Sequence, residues 1–202
     1  MNYCFQTFTG RLVDPLYPKP EDIAIEDIAH ALGHVCRFGG HCTFHYPVGL
    51  HSLNVSLMVE KLGGTIMESL WGLLHDGTEA YLGNMVRPLK HQPEMAPFRE
   101  AEAKLQLLIC NHFDLPHQEP AIVREVDRRM CVTEGPIVFE GNWKPMTAGL
   151  ARGKEEGNAF ERESWPPGMR IELVEHATVV RWFLERFHQL DYRIDPARRS
   201  AR

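Results

Sequence analysis

The segment 65–82, TIMESLWGLLHDGTEAYL, is apolar on most of its surface until it reaches His75 and Asp76. Read as one helix, it has too little polar face to lie on the outside of a soluble domain and belongs at the centre of a helical bundle. The rest of the chain supplies the surrounding helices. Ile25, Ile28, Ala29, Leu32 and Val35 recur at helical spacing and predict a helix over 25–36. Pro47 suits the first turn of a second helix carrying Val48, Leu53, Val55, Met58 and Leu62, which Gly63 and Gly64 close. Further helices are expected over 98–113 and over 120–134, the latter opened by Pro120. The last, over 169–190, carries a stripe of Ile171, Val174, Ala177, Phe183, Leu184 and Phe187. Strand-like alternation is nearly absent. The expected fold class is therefore all-α, a single-domain helical bundle over 1–202, with a turn-rich lead-in, a long loop over 141–168 and a tail over 195–202. A loop of that length is uncommon in one domain, and Trp143 and Trp165 within it predict docking against a surface.

Charge narrows the function. Twenty-two Lys and Arg against 27 Asp and Glu leave a net charge of −5, a poor basis for holding nucleic acid through its phosphates. Five cysteines, Cys4, Cys36, Cys42, Cys110 and Cys131, form no C-x-x-C pair and fit free thiols in a reducing compartment. The first residues carry neither a basic start nor an apolar run, and no stretch approaches membrane-spanning length. A cytoplasmic protein is the expectation. Histidine is the one oddity, with 11 residues, roughly twice its usual share. That excess favours a metal or acid–base site without locating it.

The location comes from His75 and Asp76. A buried apolar helix ends by presenting an imidazole and a carboxylate side by side, and a bound cation relieves the cost of burying the carboxylate. Glu79, four residues after His75 and three after Asp76, would share their helical face. His51 lies in the preceding helix, which an antiparallel pairing brings close to His75. Asp127 is the sole aspartate of the fifth helix, with Arg124 three residues before it. His51, His75, Asp76 and Asp127 form a mixed N and O ligand set suited to a divalent ion, and ligand type does not choose among Mn, Fe, Co, Ni, Zn and Mg. The same residues also fit a set of buried polar side chains bonded to one another. Spacing alone leaves both readings open.

Several separated motifs carry a resemblance over nearly the whole chain: TGRLVDPLYPKPEDIAIEDIAHAL, RFGGH, YPVGLHSLNVS, LLHDGTEAYLGNMVRPLK, VREVDRRMCVTE and WFLERF. In that order they resemble the HD-domain phosphohydrolases, in particular the small branch of bacterial 5′-deoxynucleotidases and phage dATP triphosphohydrolases. The resemblance implies a divalent metal on His51, His75, Asp76 and Asp127. It also implies a catalytic role for Glu79 in orienting or deprotonating the attacking water. Arg37 falls on an arginine that would clamp phosphate, and Lys90 and Arg124 match basic positions facing the phosphate tail. Phe38 falls where an aromatic residue could stack on a base, and His41 lies in a Gly-rich turn near the phosphate end. Each has a structural reading too: Arg37 as a helix cap, Phe38 as core, Lys90 and Arg124 as solvated charges. One departure stands out. Relatives often carry Gly-Asp where this chain has Gly83 and Asn84. The expected activity is hydrolysis of deoxynucleotide 5′-phosphates, favoured as a triphosphohydrolase because three cations exceed what one phosphate needs. The alternatives are a 5′-deoxynucleotidase and a non-hydrolytic nucleotide- or metal-binding module. Relatives of this branch form homo-oligomers, which is the expectation for this chain.

Overall fold

The computed structural model describes residues 3–144 and 159–195. A short hairpin of β1 (Phe5–Gln6) and β2 (Leu12–Val13) leads into α1 (Ile25–His34), α2 (Val48–Lys61), α3 (Ile66–Leu74), α4 (Glu79–Leu82) and α5 (Arg87–Lys90). Then come α6 (Ala96–His112), α7 (Ala121–Val138) and α8 (His176–Ile194). The all-α expectation holds. Helix α2 lies at the centre and packs against α1, α3, α7 and α8, so that its residues from Val48 to Val59 are buried apart from Leu57. Gly49 permits a close approach: a Cβ there would stand 3.2 Å from the Leu32 backbone and from Val179. Helix α3 is buried from Ser69 to Leu74, as its apolar surface requires. A reciprocal cap starts it, with Thr65 Oγ1 accepting from the Glu68 amide and the Glu68 carboxylate accepting from the Thr65 amide.

The segment 65–82 is not one helix. α3 ends at Leu74, and the chain tightens into i→i−3 hydrogen bonds: Gly77 N to Leu74 O at 2.9 Å, then Glu79 N to Asp76 O at 3.0 Å. A Cβ at Gly77 would lie 3.0 Å from Leu74 O and 3.2 Å from Ile109 Cδ1, so the turn tightens around a residue without a side chain. The last helix also starts later than its apolar spacing predicts. Asn54, buried on α2, accepts from Arg170 N at 3.0 Å and donates to Arg170 O at 2.6 Å. That side chain occupies both backbone groups of Arg170, and the helix begins at His176. Ile171 is buried from this non-helical lead-in. The inward face of α8 is Val179, Phe183, Arg186, Phe187, Leu190 and Asp191, whereas Ala177 is exposed and Leu184 half-buried.

Smaller differences have similar causes. Pro47 stands just before the first turn of α2, where Val48 N is bonded to Val35 O. Leu62 follows that helix and is exposed. Helix α7 continues past residue 134 and through Pro136, because its last residue Val138 is buried and its carbonyl accepts from Thr43 N and Oγ1. Trp143 docks on that extension: a Cβ at Gly135 would fall 2.4 Å from its ring. Trp165 donates to Phe160 O at 3.2 Å, so both tryptophans settle on their own chain. Within the expected loop and tail, 145–158 and 196–202 lie outside the described residues. Cys36 and Cys131 are half-buried free thiols. No helix among the described residues is long and apolar enough to cross a membrane.

The hairpin is pinned to α1 by one buried carboxylate. Asp27 accepts from Thr9 N at 2.7 Å, Thr9 Oγ1 at 2.7 Å and Thr7 Oγ1 at 3.0 Å, and pairs with Arg11 at 3.3 Å. Replacing Asp27 with Ala strands those donors and should lower stability by about 2 kcal/mol, read from urea denaturation. An unchanged midpoint would show that the hairpin is not held this way.

Candidate metal centre

Two imidazoles meet where α2 faces the end of α3. His51 Nε2 and His75 Nε2 stand 3.3 Å apart. Each ring has its other nitrogen committed: His51 Nδ1 donates to Glu134 Oε1 at 2.7 Å, and His75 Nδ1 donates to Gly72 O at 2.8 Å. With both Nδ1 protons placed, the two Nε2 atoms of neutral rings present lone pairs towards each other. Carboxylate oxygens surround the same point. Asp127 Oδ1 lies 3.1 Å from His51 Nε2 and 3.7 Å from His75 Nε2, while Asp76 Oδ2 lies 3.2 Å from His75 Nε2 and 3.7 Å from His51 Nε2. Lone pairs facing lone pairs and carboxylates require a positive charge between them, either a proton or a metal ion. His51, His75 and Asp76 offer ligand atoms within 4.8 Å of one another and could hold a metal ion. The donor set fits that use, since imidazoles whose far N–H is anchored by a carboxylate or carbonyl are pre-oriented ligands.

The charges respond to this crowding. Burial works against ionisation of Asp76, but the adjacent His75 and His51 draw it down to about 2. Burial likewise opposes the charge on Asp127, and its bonds to His51 and His75 hold it well below the ordinary carboxylate range. Burial would lower His75, yet Asp76 and Asp127 raise it well above its ordinary value. Behind them Glu134 is fully buried. Burial pushes it up, whereas His51 and Arg37 pull it below normal, so it stays ionised. Its Oε1 also accepts from Tyr46 at 2.7 Å, and its Oε2 lies 3.2 Å from Arg37 Nε.

In front of the histidines opens a cavity of about 270 Å³. Asp76, Asp127, Glu79, Arg37, Phe38 and Lys90 line it, together with Asn84, Met85, Val86, Arg87, His91 and Cys131. Glu79 reaches it from the start of α4, not as a further turn of the helix that bears Asp76. Asn84 Nδ2 donates to both Glu79 oxygens, at 3.0 and 2.8 Å. Burial and the Asp76 charge push the Glu79 carboxyl up, Asn84, Arg37 and Lys90 restrain it, and it settles at about 8. Arg37 spans the inner wall, 3.5 Å from Asp76 Oδ2 as well as close to Glu134. Phe38 both lines the cavity and packs edge-on to Phe139 and Trp143, held at φ +54°, which is strained for a residue with a side chain. Lys90 is paired with Glu102.

Two sequence-predicted contacts do not reach the cavity. Arg124 is 58% exposed and pairs with Glu119 at 2.8 Å, because it projects outward from the first turn of α7. His41 is exposed at the end of the short turn Arg37–Gly40 and is not part of the lining. Sequence reasoning also missed three contributors. Glu134 carried a signal: it lies seven residues, two helical turns, after Asp127 and so shares its face. Asn84 was visible only as a missing aspartate. Arg87 had no motif to mark it.

No protein-family model matches the sequence. The chain is 38% identical over 120 residues to an uncharacterized protein of Rhodobacter capsulatus, a match covering 57% of this chain and 61% of that protein, so it spans less than two thirds of that relative's length. It is 31% identical over 147 residues to the uncharacterized protein YfdR of Escherichia coli K12, covering 72% of this chain and 79% of YfdR.

Replacing Glu134 with Gln removes the anchor of His51 and should weaken divalent-metal binding by about 10- to 100-fold, measured by Co²⁺ titration. Affinity within twofold of the unsubstituted chain would remove Glu134 from the site. A second outcome concerns pH. Glu79 is raised from 4.5 to about 8, so the stability it contributes is complete below pH 4.5 and is lost as pH rises through about 8. Denaturation of the metal-free protein should therefore show stability falling over that window relative to Glu79→Gln. Parallel profiles for the two proteins would contradict it.

Proposed function

The chain belongs to the family of the Escherichia coli protein YfdR, and we propose that it is a divalent-metal-dependent phosphohydrolase acting on deoxynucleotide 5′-phosphates. One observation carries the reading: two imidazole Nε2 atoms with their far nitrogens anchored, facing each other beside Asp76 and Asp127 at the back of a cavity that Glu79 lines. The resemblance to HD-domain phosphohydrolases supports the same assignment. His51, His75 and Asp76 would hold the ion, with Asp127 as the fourth ligand. A divalent ion bound there supplies Lewis-acid polarisation of a phosphoryl oxygen and acidifies water near it.

The side chains divide the remaining work. Glu79, fixed by Asn84, orients a water and accepts its proton as the water attacks phosphorus. The bond from phosphorus to the 5′ oxygen breaks, and the leaving oxygen takes a proton to give a deoxynucleoside. Arg37 neutralises charge that builds on the phosphoryl oxygens, and its anchoring by Glu134 keeps it in place before substrate arrives. Phe38 offers an aromatic surface to the base. A triphosphate is the favoured substrate, yielding deoxynucleoside and triphosphate; a monophosphate would yield deoxynucleoside and phosphate.

Purified protein with Co²⁺, Mn²⁺ or Mg²⁺ should release nucleoside from deoxynucleotides, with chromatography separating nucleoside from nucleotide and identifying the inorganic product. Asp76→Ala should abolish turnover. Glu79→Gln should lower it about 100-fold or more while leaving metal binding intact. Nucleotide binding without turnover in any metal would replace the hydrolase with a non-hydrolytic binding module.

A further inference from the structure

Three cationic side chains line the cavity, and two of them are already committed. Arg37, half-buried, is paired with Glu134 and Asp76, at 3.2 and 3.5 Å. Lys90 is held by Glu102, and its backbone carbonyl accepts from Arg99. Arg87 differs. It is exposed, and among the described residues its guanidinium has no ion pair. Among the described residues its hydrogen bonds are to its backbone carbonyl, from the His91 amide and from His91 Nδ1 at 2.9 Å.

The charged residues of the lining come from different elements. Its carboxylates, Asp76, Glu79 and Asp127, come from the end of α3, from α4 and from α7, whereas Arg87 and Lys90 come from α5. Arg37 comes from the turn before α2 and pairs with Asp76. A single phosphate reacting beside Asp76 is already served by Arg37, which pairs with that carboxylate. An uncommitted guanidinium on α5 has no use for that phosphate and suits further negative charge carried beyond it. Its planar donors match phosphate oxygens in pairs.

We propose that Arg87 binds the outer phosphates of a polyphosphate tail and so selects deoxynucleoside triphosphates over monophosphates. This rests on the hydrolase reading and adds to it the residue that sets substrate class. With the metal-loaded protein, Arg87→Ala should raise KM for a deoxynucleoside triphosphate at least tenfold and change KM for the monophosphate less than twofold, with kcat for both near that of the unsubstituted chain. Arg87→Lys should recover only part of the loss. A readout independent of turnover is calorimetric binding of inorganic triphosphate, which Arg87→Ala should weaken at least tenfold and inorganic phosphate should not reproduce. Equal losses for monophosphate and triphosphate would place Arg87 on the reacting phosphate and overturn the inference, as would no change in either. If nothing is hydrolysed by the unsubstituted chain, the hydrolase reading fails by itself; inorganic triphosphate bound equally by both proteins would then overturn the role of Arg87 as well.

Discussion

A fully buried carboxylate organises this molecule. Glu134 sits on α7 with no access to solvent, where an unpaired charge would cost several kcal/mol. Three groups meet it: His51, Tyr46 and Arg37. The His51 bond fixes which imidazole nitrogen carries the proton and therefore which one faces His75. The Arg37 contact holds a cation at the inner wall of the cavity. Tyr46 extends the network, because Asn54 donates to its hydroxyl at 3.0 Å and in turn holds the backbone of Arg170. A single side chain thus links the metal-ligand candidates, the cavity wall and the place where the last helix is delayed. Contacts this interdependent favour one arrangement of the core over near alternatives.

The second constraint is backbone. An α-helix continued through residues 75–82 would put His75 and Glu79 one above the other on a single face. The chain instead tightens at Gly77, which brings Asp76 and Glu79 to one cavity while leaving His75 turned back towards Gly72 O. A side chain at 77 would meet Leu74 O and Ile109, so the geometry that separates metal-ligand candidate from candidate base depends on a missing Cβ.

Much of this was legible in the sequence, for identifiable reasons. Helical periodicity located α1, α2, α6 and α7, and the all-round apolar character of 65–74 put α3 inside. Histidine and aspartate drew attention to His51, His75, Asp76 and Asp127 because few residue types serve that chemistry. What escaped were effects that no local pattern encodes. The late start of α8 follows from a side chain on α2, more than a hundred residues away in sequence. The extension of α7 through Pro136 depends on burial of Val138 and on Thr43. Arg124 and Lys90 look alike as exposed-helix cations, and only their orientation separates a surface pair with Glu119 from a position on the cavity. Asn84 was legible as a lost charge, but its use as a donor to both oxygens of Glu79 required the turn at Gly83, whose φ of +76° points the chain back.

That last contact bears on how three carboxylates share one cavity. Asp76 and Asp127 are held ionised beside His75, which they raise well above its ordinary value against the effect of burial. Glu79 cannot draw on the same charge and remains largely protonated at neutral pH, with Asn84 donating to it whichever form it takes. An aspartate at 84 would set a second acid against Glu79 and push it further from ionisation. A cation held by the histidines and Asp76 would reverse that balance. With Asp76 engaged in that way, Glu79 would feel less of its charge and could ionise in the orientation that Asn84 fixes. Asp76 is both a candidate ligand and the charged neighbour of Glu79, so occupancy of the one site would set the ionisation of the other.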